Sequence, residues 1–258
     1  MDLGLEGLRV LVTAGASGIG LHTARAFAAE GARVHICDID EAALSAFRTD
    51  NPDIGASLCD VADRAQVQEL FDTVLETFGG LDCLINNAGI SGATAPVEKM
   101  DPADWDRCIA VTLTSQFNCT RLAVEPLKAS DNPSIINLSS AAGKFGFQFR
   151  SAYSAAKWGI VGFTKTIARE LGPFGIRCNT ILPGLVEGDR LTRVIAAKAD
   201  ALGKTYSQAE TDFLAHASIK EMIDPGQLAD MMLFLASKRG RTISGQAISI
   251  DADLQTLA

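Results

Sequence analysis

The sequence lacks the cysteine patterns of a metal site or of a disulfide framework. It contains six cysteines, but no Cys-x-x-Cys spacing and no tight cluster of cysteine and histidine. Such spacings mark zinc sites and small disulfide-bonded folds. We therefore expect reduced thiols that pack as small apolar side chains, and no bound metal. The histidines His22, His35 and His216 are far apart in the sequence and are interpreted as structural.

Long apolar runs and an excess of positive charge are also missing. No stretch of about 18 consecutive apolar residues occurs, which argues against a membrane-spanning helix. The first residues, Met-Asp-Leu-Gly-Leu-Glu, have neither the basic region nor the apolar core of a secretory signal. The formal net charge of -8 would repel nucleic acid phosphates and anionic lipids. We expect a cytoplasmic protein that binds neither nucleic acid nor membrane.

What the sequence does contain is an alternation of short apolar segments with helix-like segments. Hydrophobic residues make up 47% of the chain, which is ample for a core on both faces of a sheet. The alternation predicts an α/β fold, a single doubly wound Rossmann-type domain over residues 1–258 with a seven-stranded, mainly parallel sheet. Strands are expected near Val10, Val34, Ala56, Leu84, Ile136, Cys178 and Ile248. Helices are expected near residues 18–30, 41–48, 63–78, 102–129, 151–171 and 225–236, with a kink or stop at Pro126.

A glycine-rich turn connects the first strand to the first helix. The short, mostly apolar segment Arg9-Val10-Leu11-Val12 runs into Thr-Ala-Gly-Ala-Ser-Gly-Ile-Gly at 13–20, and apolar residues then recur at helical spacing up to Gly31. Glycines let the backbone approach a pyrophosphate, and the helix N-terminus directs N–H groups at the anion. The alternative is an ordinary tight turn. The candidate contacts are Gly15, Ser17, Gly18, Ile19 and Gly20.

The residue after the second strand segment predicts which dinucleotide binds. Asp38 lies at about the distance past the glycines at which an acidic residue meets the adenosine ribose. Its carboxylate can accept hydrogen bonds from both ribose hydroxyls and would repel a 2′-phosphate. The basic residues between Ser17 and Asp38, Arg25 and Arg33, are expected to face elsewhere. The predicted cofactor is NAD rather than NADP.

Ser140, Tyr153 and Lys157 form a candidate proton-transfer site. Tyr153 and Lys157 are four residues apart, hence one helical turn, and Ser140 follows an apolar strand. A tyrosine loses its proton near pH ~10, too high for a base at neutrality. An ammonium about 4 Å away, at an effective dielectric constant of about 20, contributes roughly 4 kcal/mol. Each pKa unit corresponds to about 1.4 kcal/mol, so Lys157 alone is sufficient in magnitude.

With these features the chain resembles the short-chain dehydrogenase/reductase family over essentially its whole length. Five motifs occur in the order that the family has them. They are the turn at 13–20, Asp60-Val61 after the third strand, Asn86-Asn87-Ala88-Gly89 after the fourth, the trio just described, and Pro183-Gly184 after the sixth. The resemblance implies that Ser140, Tyr153 and Lys157 are catalytic. It also implies further cofactor contacts, with Asp60 at the adenine. These contacts are Asp60, Val61, Asn87, Ala88, Gly89, Tyr153, Lys157, Pro183 and Gly184.

Three positions depart from the family pattern. Ala14 replaces the first glycine of the turn, which should bend the loop slightly differently. Thr112 stands where the family usually has an asparagine that holds a water in line with the lysine, and we expect its hydroxyl to take that catalytic role. Gly188 replaces a threonine that commonly contacts the nicotinamide, so backbone groups near Val186 are expected to orient the cofactor.

The segment at about 187–224 takes the place of the family's substrate lid, and its length suggests a small, enclosed substrate. Arg150 occupies the position at which related 3-hydroxybutyrate dehydrogenases carry a lysine that meets the substrate carboxylate. An arginine there could bind an anion at two points, or be a solvated charge at a helix start. Gln148 could hydrogen-bond a substrate hydroxyl or carbonyl. Together these residues suggest a hydroxy acid or a sugar derivative.

The helix beginning near Ser151 carries small residues, Ala155, Ala156, Gly159 and Gly162, that permit close helix packing. The resemblance implies that this helix and the fourth pair with their copies in neighbouring subunits, so we expect a homotetramer, or at least a dimer. The expected activity is NAD-dependent interconversion of a secondary alcohol and a ketone, with oxidation the favoured direction. A 3-oxoacyl-thioester reductase and a catalytically impaired NAD-binding regulator remain alternatives.

Overall fold

A computed structural model describes residues 2–257, apart from the side chains of residues 197, 198, 201 and 202. Met1 and Ala258, the ends of the predicted domain, lie outside the described residues. Within them, seven strands form one sheet in the order β3-β2-β1-β4-β5-β6-β7, and every neighbouring pair is parallel. The strands are β1 (Arg9–Thr13), β2 (Arg33–Asp38), β3 (Gly55–Leu58), β4 (Cys83–Asn86), β5 (Ser134–Leu138), β6 (Arg177–Pro183) and β7 (Ala247–Ile250). The seven strands predicted from the sequence are thus confirmed.

Helices cover both faces of this sheet, so the predicted doubly wound fold is confirmed. They are α1 (Gly18–Ala29), α2 (Glu41–Asp50), α3 (Arg64–Phe78), α4 (Pro102–Ile109), α5 (Ser115–Lys128), α6 (Ser151–Leu171), α7 (Asp189–Leu202), α8 (Tyr206–Leu214) and α9 (Pro225–Ala236). No helix among the described residues has the length and apolar character that a membrane crossing requires.

The alternation of side chains along each strand produces two apolar cores, one on each face of the sheet. In β1, Val10 and Val12 pack in the core beneath α1 and α9, whereas Leu11 between them packs in the core beneath α3, α5 and α6. Phe27 and Phe71 are fully buried anchors of the first and the second core. Full burial of such a side chain contributes about 1.5–3 kcal/mol. This packing fixes the strand ends that carry the site.

Strand β1 lies between β2 and β4, so the chain builds the sheet outward from β1 first on one side and then on the other. Connections therefore leave β1 and β4 in opposite directions, which opens a crevice beyond the carboxyl ends of these strands. Asp40, Asp63 and Asp224 each accept backbone N–H bonds at the start of the helix that follows them. Such a cap is worth about 1 kcal/mol, and it helps to fix where each helix begins.

The predicted fourth helix, 102–129, differs from the observed structure in its middle. Helix α4 ends at Ile109, a π-helical turn spans Ala110–Thr114, and α5 then continues to Lys128. Pro126 lies within the last turn of α5, so the helix stops shortly after it, as expected. The wider turn changes the angular position of the residues around Thr112, which lies close to the candidate site.

The cysteines Cys37, Cys59, Cys83, Cys108, Cys119 and Cys178 are all free and buried. Burial raises the pKa of Cys83 to about 12, so this thiol stays protonated and packs as an apolar group. His35 is also buried, and burial lowers its pKa to about 4, so it is neutral at pH 7 and hydrogen-bonds the Ser57 hydroxyl at 2.8 Å. These residues are structural, in line with their interpretation from the sequence.

Candidate active site

A cavity of about 860 Å³ lies at the carboxyl ends of the strands, where the strand order reverses. It extends from the turn before α1, past the ends of β5 and β6, to the lid helices α7 and α8. Ser17, Gly18 and Ile19 line one end, and Ser140, Tyr153 and Lys157 line the middle. One continuous space therefore joins the candidate phosphate turn to the candidate proton-transfer residues.

The turn before α1 is built for close approach of a ligand to the backbone. Ser17 precedes the helix in extended conformation, and the first N–H groups of α1 point out of the helix end. A Cβ added to Gly20 would lie 2.2 Å from the Ala14 carbonyl oxygen and 2.6 Å from the Asn87 amide, so no side chain fits there. Gly15 is similarly confined, against Ile36. These glycines pack helix, turn and sheet together and leave the helix end free for an anion.

Ala14, which replaces the first glycine of the turn, adopts a left-handed backbone conformation. Its φ is +51°, a region in which alanine is strained and glycine is not. Ala14 thus keeps the backbone shape that a glycine would adopt easily. The neighbouring Thr13 and Ala14 carbonyls each accept a hydrogen bond from the Asn87 side chain, at 3.0 and 2.9 Å. This link holds the strained turn in place.

Asp38 ends β2 directly beside the turn. One carboxylate oxygen accepts a bond from the Ala16 N–H at 3.1 Å, and the other accepts from Ile39 at 2.8 Å and from Asp40 at 3.2 Å. An ionised carboxylate has about four lone-pair sites, so it can also accept a hydrogen bond from a ribose hydroxyl. Arg25 bonds Asn51, and Arg33 bonds carbonyls at the end of α3, so both point away as expected. Among residues 2–257, no Lys or Arg forms an ion pair with Asp38 that would offset its charge beside a 2′-phosphate.

Asp60 and Val61 follow β3 as expected, but the Asp60 carboxylate already has partners. It accepts from the Ala62 N–H at 2.9 Å and pairs with Arg107 at 3.1 Å. Val61 is buried, and its carbonyl accepts a bond from Asn118. These contacts fix the loop after β3 through its backbone.

The segment Asn87-Ala88-Gly89 connects the turn to the reactive side chains. The N–H groups of Asn87 and Ala88 both donate to the Thr13 hydroxyl, at 3.0 and 3.1 Å. A Cβ placed on Gly89 would lie 3.4 Å from the Lys157 ammonium. Asn87 and Gly89 line the cavity, whereas Ala88 is buried behind them. The segment therefore acts as a spacer between the two halves of the site.

Ser140, Tyr153 and Lys157 converge in the cavity. The Ser140 hydroxyl accepts a bond from the Ala142 N–H at 3.2 Å, and it lies close enough to Tyr153 to lower the pKa of the phenol. The Lys157 ammonium is buried and donates to the Leu138 carbonyl at 2.8 Å. It lies 5.6 Å from the centre of the Tyr153 ring. The predicted trio thus meets at the junction of β5 and α6.

The electrostatics favour a tyrosine that loses its proton easily. Burial raises the pKa of Tyr153, but the charges of Lys157 and Arg190, and hydrogen bonds from Ser140 and Arg190, together lower it below its ordinary value. The pKa of Lys157 is itself lowered, chiefly by burial and also by the Arg190 charge. The phenolate is therefore stabilised by two cations rather than by the one predicted.

Thr112 occupies the π-helical turn and faces the loop after β4. Its hydroxyl donates to the Ile90 carbonyl and accepts from the Ile90 N–H, both at 3.2 Å. It is fully buried, and its oxygen would lie 3.7 Å from a Cβ at Gly89. In this structure the hydroxyl fastens the turn to Ile90, close to Lys157.

Pro183, Gly184 and Val186 line the cavity beyond the end of β6. The residues on either side of Val186 form backbone hydrogen bonds with Ile223. The Ile223 N–H donates to the Leu185 carbonyl at 2.8 Å, and the Glu187 N–H donates to the Ile223 carbonyl at 2.9 Å. Gly188, the position of the missing threonine, has a φ of +138° and precedes α7. The base of the lid is thus fixed through its backbone.

The two predicted substrate contacts separate. Arg150 lines the cavity, with its guanidinium bonded to the Ser91 and Gly92 carbonyls, whereas Gln148 is exposed and lies outside the cavity lining. Phe149, between these two residues, has a φ of +61°. The backbone therefore turns there, and side chains do not alternate strictly between two sides before α6.

Arg190, near the start of α7, is a functional candidate that sequence reasoning missed. It lines the cavity, donates to the Ser91 hydroxyl, and lowers the pKa of Tyr153 with its charge. His22 and His216, which were interpreted from the sequence as structural, also line the cavity. The sequence could have indicated these residues only through their positions, since His22 lies near the start of α1 and the other two lie in the lid segment. Contact across a cavity leaves no periodic pattern in a sequence.

Comparison with known proteins agrees with this geometry. A family model described as enoyl-(acyl carrier protein) reductase matches residues 13–253. D-beta-hydroxybutyrate dehydrogenase of Cupriavidus necator is 35% identical over 252 residues, which cover 96% of this chain and 97% of that protein. The chain belongs to the short-chain dehydrogenase/reductase family. Members of this family are oxidoreductases that act on CH–OH groups, and this chain is one of them.

Other members of the family are similar over almost the whole chain. The 3-oxoacyl-acyl-carrier-protein reductase of Thermotoga maritima is 34% identical over 254 residues, 97% of this chain and 98% of that protein. The crystal structure of L-sorbose reductase from Gluconobacter frateurii, complexed with NADPH and L-sorbose, has a TM-score of 0.93 at 26% identity and covers 98% of both chains. Solved members of the family that share this fold thus bind a nicotinamide cofactor.

Proposed function

We propose that this protein is an NAD-dependent oxidoreductase that interconverts a secondary alcohol and its ketone on a small polar substrate, a hydroxy acid or a sugar derivative. The observation that carries the proposal is the convergence of Ser140, Tyr153 and Lys157 in the cavity that also contains the phosphate turn. A tyrosine with lowered pKa beside a dinucleotide-binding turn is suited to moving the hydroxyl proton.

The residues at the other end of the cavity fit NAD. The free N–H groups at the start of α1 suit a pyrophosphate, and Gly20 lets the helix pack closely against Ala14 and Asn87 behind them. Asp38, with no cation beside it, favours a ribose with two free hydroxyls over one with a 2′-phosphate. We assign the remaining contacts to Gly15, Ser17, Gly18, Ile19, Asp60, Val61, Asn87, Ala88, Gly89, Pro183, Gly184 and Val186.

In the proposed mechanism, Ser140 hydrogen-bonds the substrate oxygen and Tyr153 takes the hydroxyl proton during oxidation. Lys157 stabilises the phenolate with its charge, and Arg190 adds to this effect. Thr112 positions Lys157 indirectly by fixing the π-helical turn against Ile90. When bound, NAD supplies the acceptor for the hydride of the carbinol carbon. In reduction, Tyr153 returns the proton to the ketone oxygen.

A 3-oxoacyl-thioester reductase is the second candidate, and the similarity to the Thermotoga maritima enzyme favours it. It shares the chemistry of the trio and differs in the substrate. Turnover of a 3-oxoacyl thioester with NADPH, together with little oxidation of small alcohols with NAD, would support this second function over the first.

The assembly we propose is a homotetramer built through α5 and α6. Phe117 on α5 and Trp158 on α6 have 45% and 52% of their surface exposed, which is unusual for large apolar side chains in water. A Cβ added to Gly162 of α6 would meet nothing within 4 Å, so a neighbouring helix can approach closely there.

The test of the proposed function is Tyr153→Phe. We expect kcat for alcohol oxidation to fall roughly 100- to 10,000-fold, because the general base is removed. NADH affinity should change little, and the wild type should bind NADH more tightly than NADPH. The measurements are NADH formation with a panel of secondary alcohols and fluorescence titration of NADH and NADPH.

Tyr206→Phe is the matched control, because Tyr206 is the other tyrosine of the chain and lies at the start of α8, partly exposed. It should retain wild-type kcat. Near-normal turnover by the Tyr153→Phe variant would contradict the assignment of the base.

A further inference from the structure

A glutamine side chain lies buried behind the cavity, where an apolar side chain would pack at lower cost. Gln116 is the second residue of α5 and is 1% exposed. Its Nε2 group donates to the Leu138 carbonyl at 3.3 Å and to the Asn86 carbonyl at 3.4 Å. Its Oε1 atom has no hydrogen-bond partner among residues 2–257. A buried amide that is only half satisfied lowers stability, so its presence here indicates a role other than packing.

The two carbonyls that accept from this amide lie at the strand ends that carry the active site. Asn86 is the last residue of β4 and directly precedes Asn87, which lines the cavity. Leu138 is the last residue of β5, two residues before Ser140. One nitrogen atom of Gln116 thus joins the ends of two adjacent strands.

The Leu138 carbonyl is also the hydrogen-bond acceptor of the Lys157 ammonium. Lys157 is buried, and its Nζ group donates to this carbonyl at 2.8 Å. The Ser139 hydroxyl donates to the Lys157 carbonyl at 2.8 Å, so the backbone of the lysine is tied to the same strand end. A single oxygen atom therefore has two donors, and the donor from Gln116 fixes the acceptor of the lysine.

An ammonium has three donors, and carbonyls that lack a partner compete for them. While Gln116 donates to the Asn86 and Leu138 carbonyls, Lys157 uses one donor at Leu138, and its other donors can face the Tyr153 phenol. Without the amide, two buried carbonyls would lose a donor, which is costly. The flexible lysine side chain would then be drawn toward the strand ends and away from the phenol.

We propose that Gln116 is a positioning residue, which keeps the Lys157 ammonium close to Tyr153 by occupying the carbonyls at the ends of β4 and β5. Gln116 is not among the described residues that line the cavity, so it acts through the lysine rather than on the substrate. This inference rests on the proposed function, because it concerns the same proton transfer. The alternative is a purely structural link between β4 and β5, whose removal would lower stability and leave the acidity of Tyr153 unchanged.

Gln116→Met tests this inference, because it keeps the length of the side chain, removes its donors and changes no charge. The variant leaves in place the ionisable groups that interact with Tyr153 or Lys157, which are Arg150, Arg190 and Cys108. We expect the rising limb of kcat/KM against pH to move to higher pH by about 0.5–1 unit, because a more distant ammonium stabilises the phenolate less. Initial rates of NADH formation across the pH range, with the secondary alcohol that the wild type oxidises fastest, measure the limb.

Asn179→Leu is the matched control for the loss of a buried amide. Asn179 is also 1% exposed, and its Nδ2 group donates to the Ile243 carbonyl at 2.8 Å, outside the cavity lining. Its replacement should lower the melting temperature and leave the rising limb at the pH of the wild type. Gln116→Asn is the second variant, because it retains a buried amide that is one methylene shorter. It should shift the limb in the same direction as Gln116→Met, by a smaller amount.

Several outcomes would overturn this inference and leave the proposed function standing. One is a limb at the wild-type pH in the Gln116 variants, and another is an equal shift in Asn179→Leu. Failure of both Gln116 variants to give folded protein would also overturn it, because the residue would then belong to the fold alone. Absence of turnover with every alcohol in the wild type would overturn the proposed function as well.

Discussion

Tyr153 gains its acidity from side chains on two separate elements. Lys157 lies one turn away on the same helix and is buried, while Arg190 reaches the phenol from the start of α7. Burial alone would hold the proton on Tyr153, so the two charges and the Ser140 hydrogen bond decide the direction of the pKa shift. Removal of either cation should therefore be visible in the pH profile.

The pH dependence follows from this lowered pKa. Oxidation needs the phenolate, so kcat/KM for an alcohol should rise with pH through the Tyr153 pKa, below the ordinary value of about 10, and then level off. In Lys157→Met the burial of Tyr153 remains while a stabilising charge is lost, so the rising limb should move to higher pH. Steady-state rates across the pH range measure this. A limb at the same pH in both proteins would contradict the role of Lys157.

Ala14 is the residue at which the chain departs most clearly from its own preferred conformation. The left-handed conformation of an L-residue costs about 1–2 kcal/mol, and glycine avoids this cost. Glycine also increases the conformational entropy of the unfolded chain, which offsets part of the gain. We expect Ala14→Gly to raise the free energy of unfolding by about 0.5–1 kcal/mol. Urea denaturation at one fixed protein concentration measures the change.

Ala26→Gly serves as the opposite control, because Ala26 lies inside α1 with helical geometry. There glycine should lower the free energy of unfolding by about 1 kcal/mol. If both variants were destabilised alike, the strain assigned to Ala14 would be absent.

At the scale of elements, the Thr112 side chain joins the π-helical turn to the loop after β4. The Thr112 hydroxyl satisfies both the N–H and the carbonyl of Ile90, and no water is needed to explain that bond pair. Thr112→Val keeps the shape of the side chain but leaves these partly buried groups unpaired, at about 1–3 kcal/mol each. We expect lower stability and lower kcat, because the turn that faces Lys157 loosens.

Thr112→Ser retains the hydroxyl and is the control for this change. It should keep kcat close to that of the wild type, with only the small loss of stability that follows from one missing methyl group. Thermal unfolding and NADH formation measure the two quantities. Equal kcat in Thr112→Val and Thr112→Ser would show that the hydrogen bonds to Ile90 do not support catalysis.

The sequence predicted the strands and most helices because their apolar periodicity reports which face is buried. It did not predict the π-helical turn, since one extra residue in a turn hardly disturbs that periodicity over 102–129. The trio and Asp38 were found because they follow strand ends or share one helix face. Arg190 and His216 were not, because their approach to Tyr153 and to the cavity depends on how the lid folds over the sheet.

At the scale of the whole molecule, Phe117 on α5 and Trp158 on α6 are about half exposed, and in the proposed tetramer neighbouring subunits would cover them. We expect light scattering to give the mass of four chains of 27.2 kDa each. Replacement of both Phe117 and Trp158 by Glu should reduce this mass, because the charges would be buried in the interface.

Ile219→Lys is the control for that double variant. Ile219 is 58% exposed but lies in the lid segment, away from α5 and α6, so its replacement should leave the mass unchanged. A wild-type mass of one chain, or a tetramer that survives the double variant, would contradict the proposed assembly.

The lid leaves and rejoins the body at neighbouring points, because Val186 and Ile223 form a parallel bridge at its base. Everything between them, including α7, α8 and Arg190, is therefore an excursion whose two ends are already joined by backbone hydrogen bonds. Such an excursion can be exchanged as a unit, or lengthened at small entropic cost, without disturbing the strands beneath it. Under the proposed function, the reactive side chains on the sheet and α6 would stay in place if this excursion were exchanged for one that admits a different substrate.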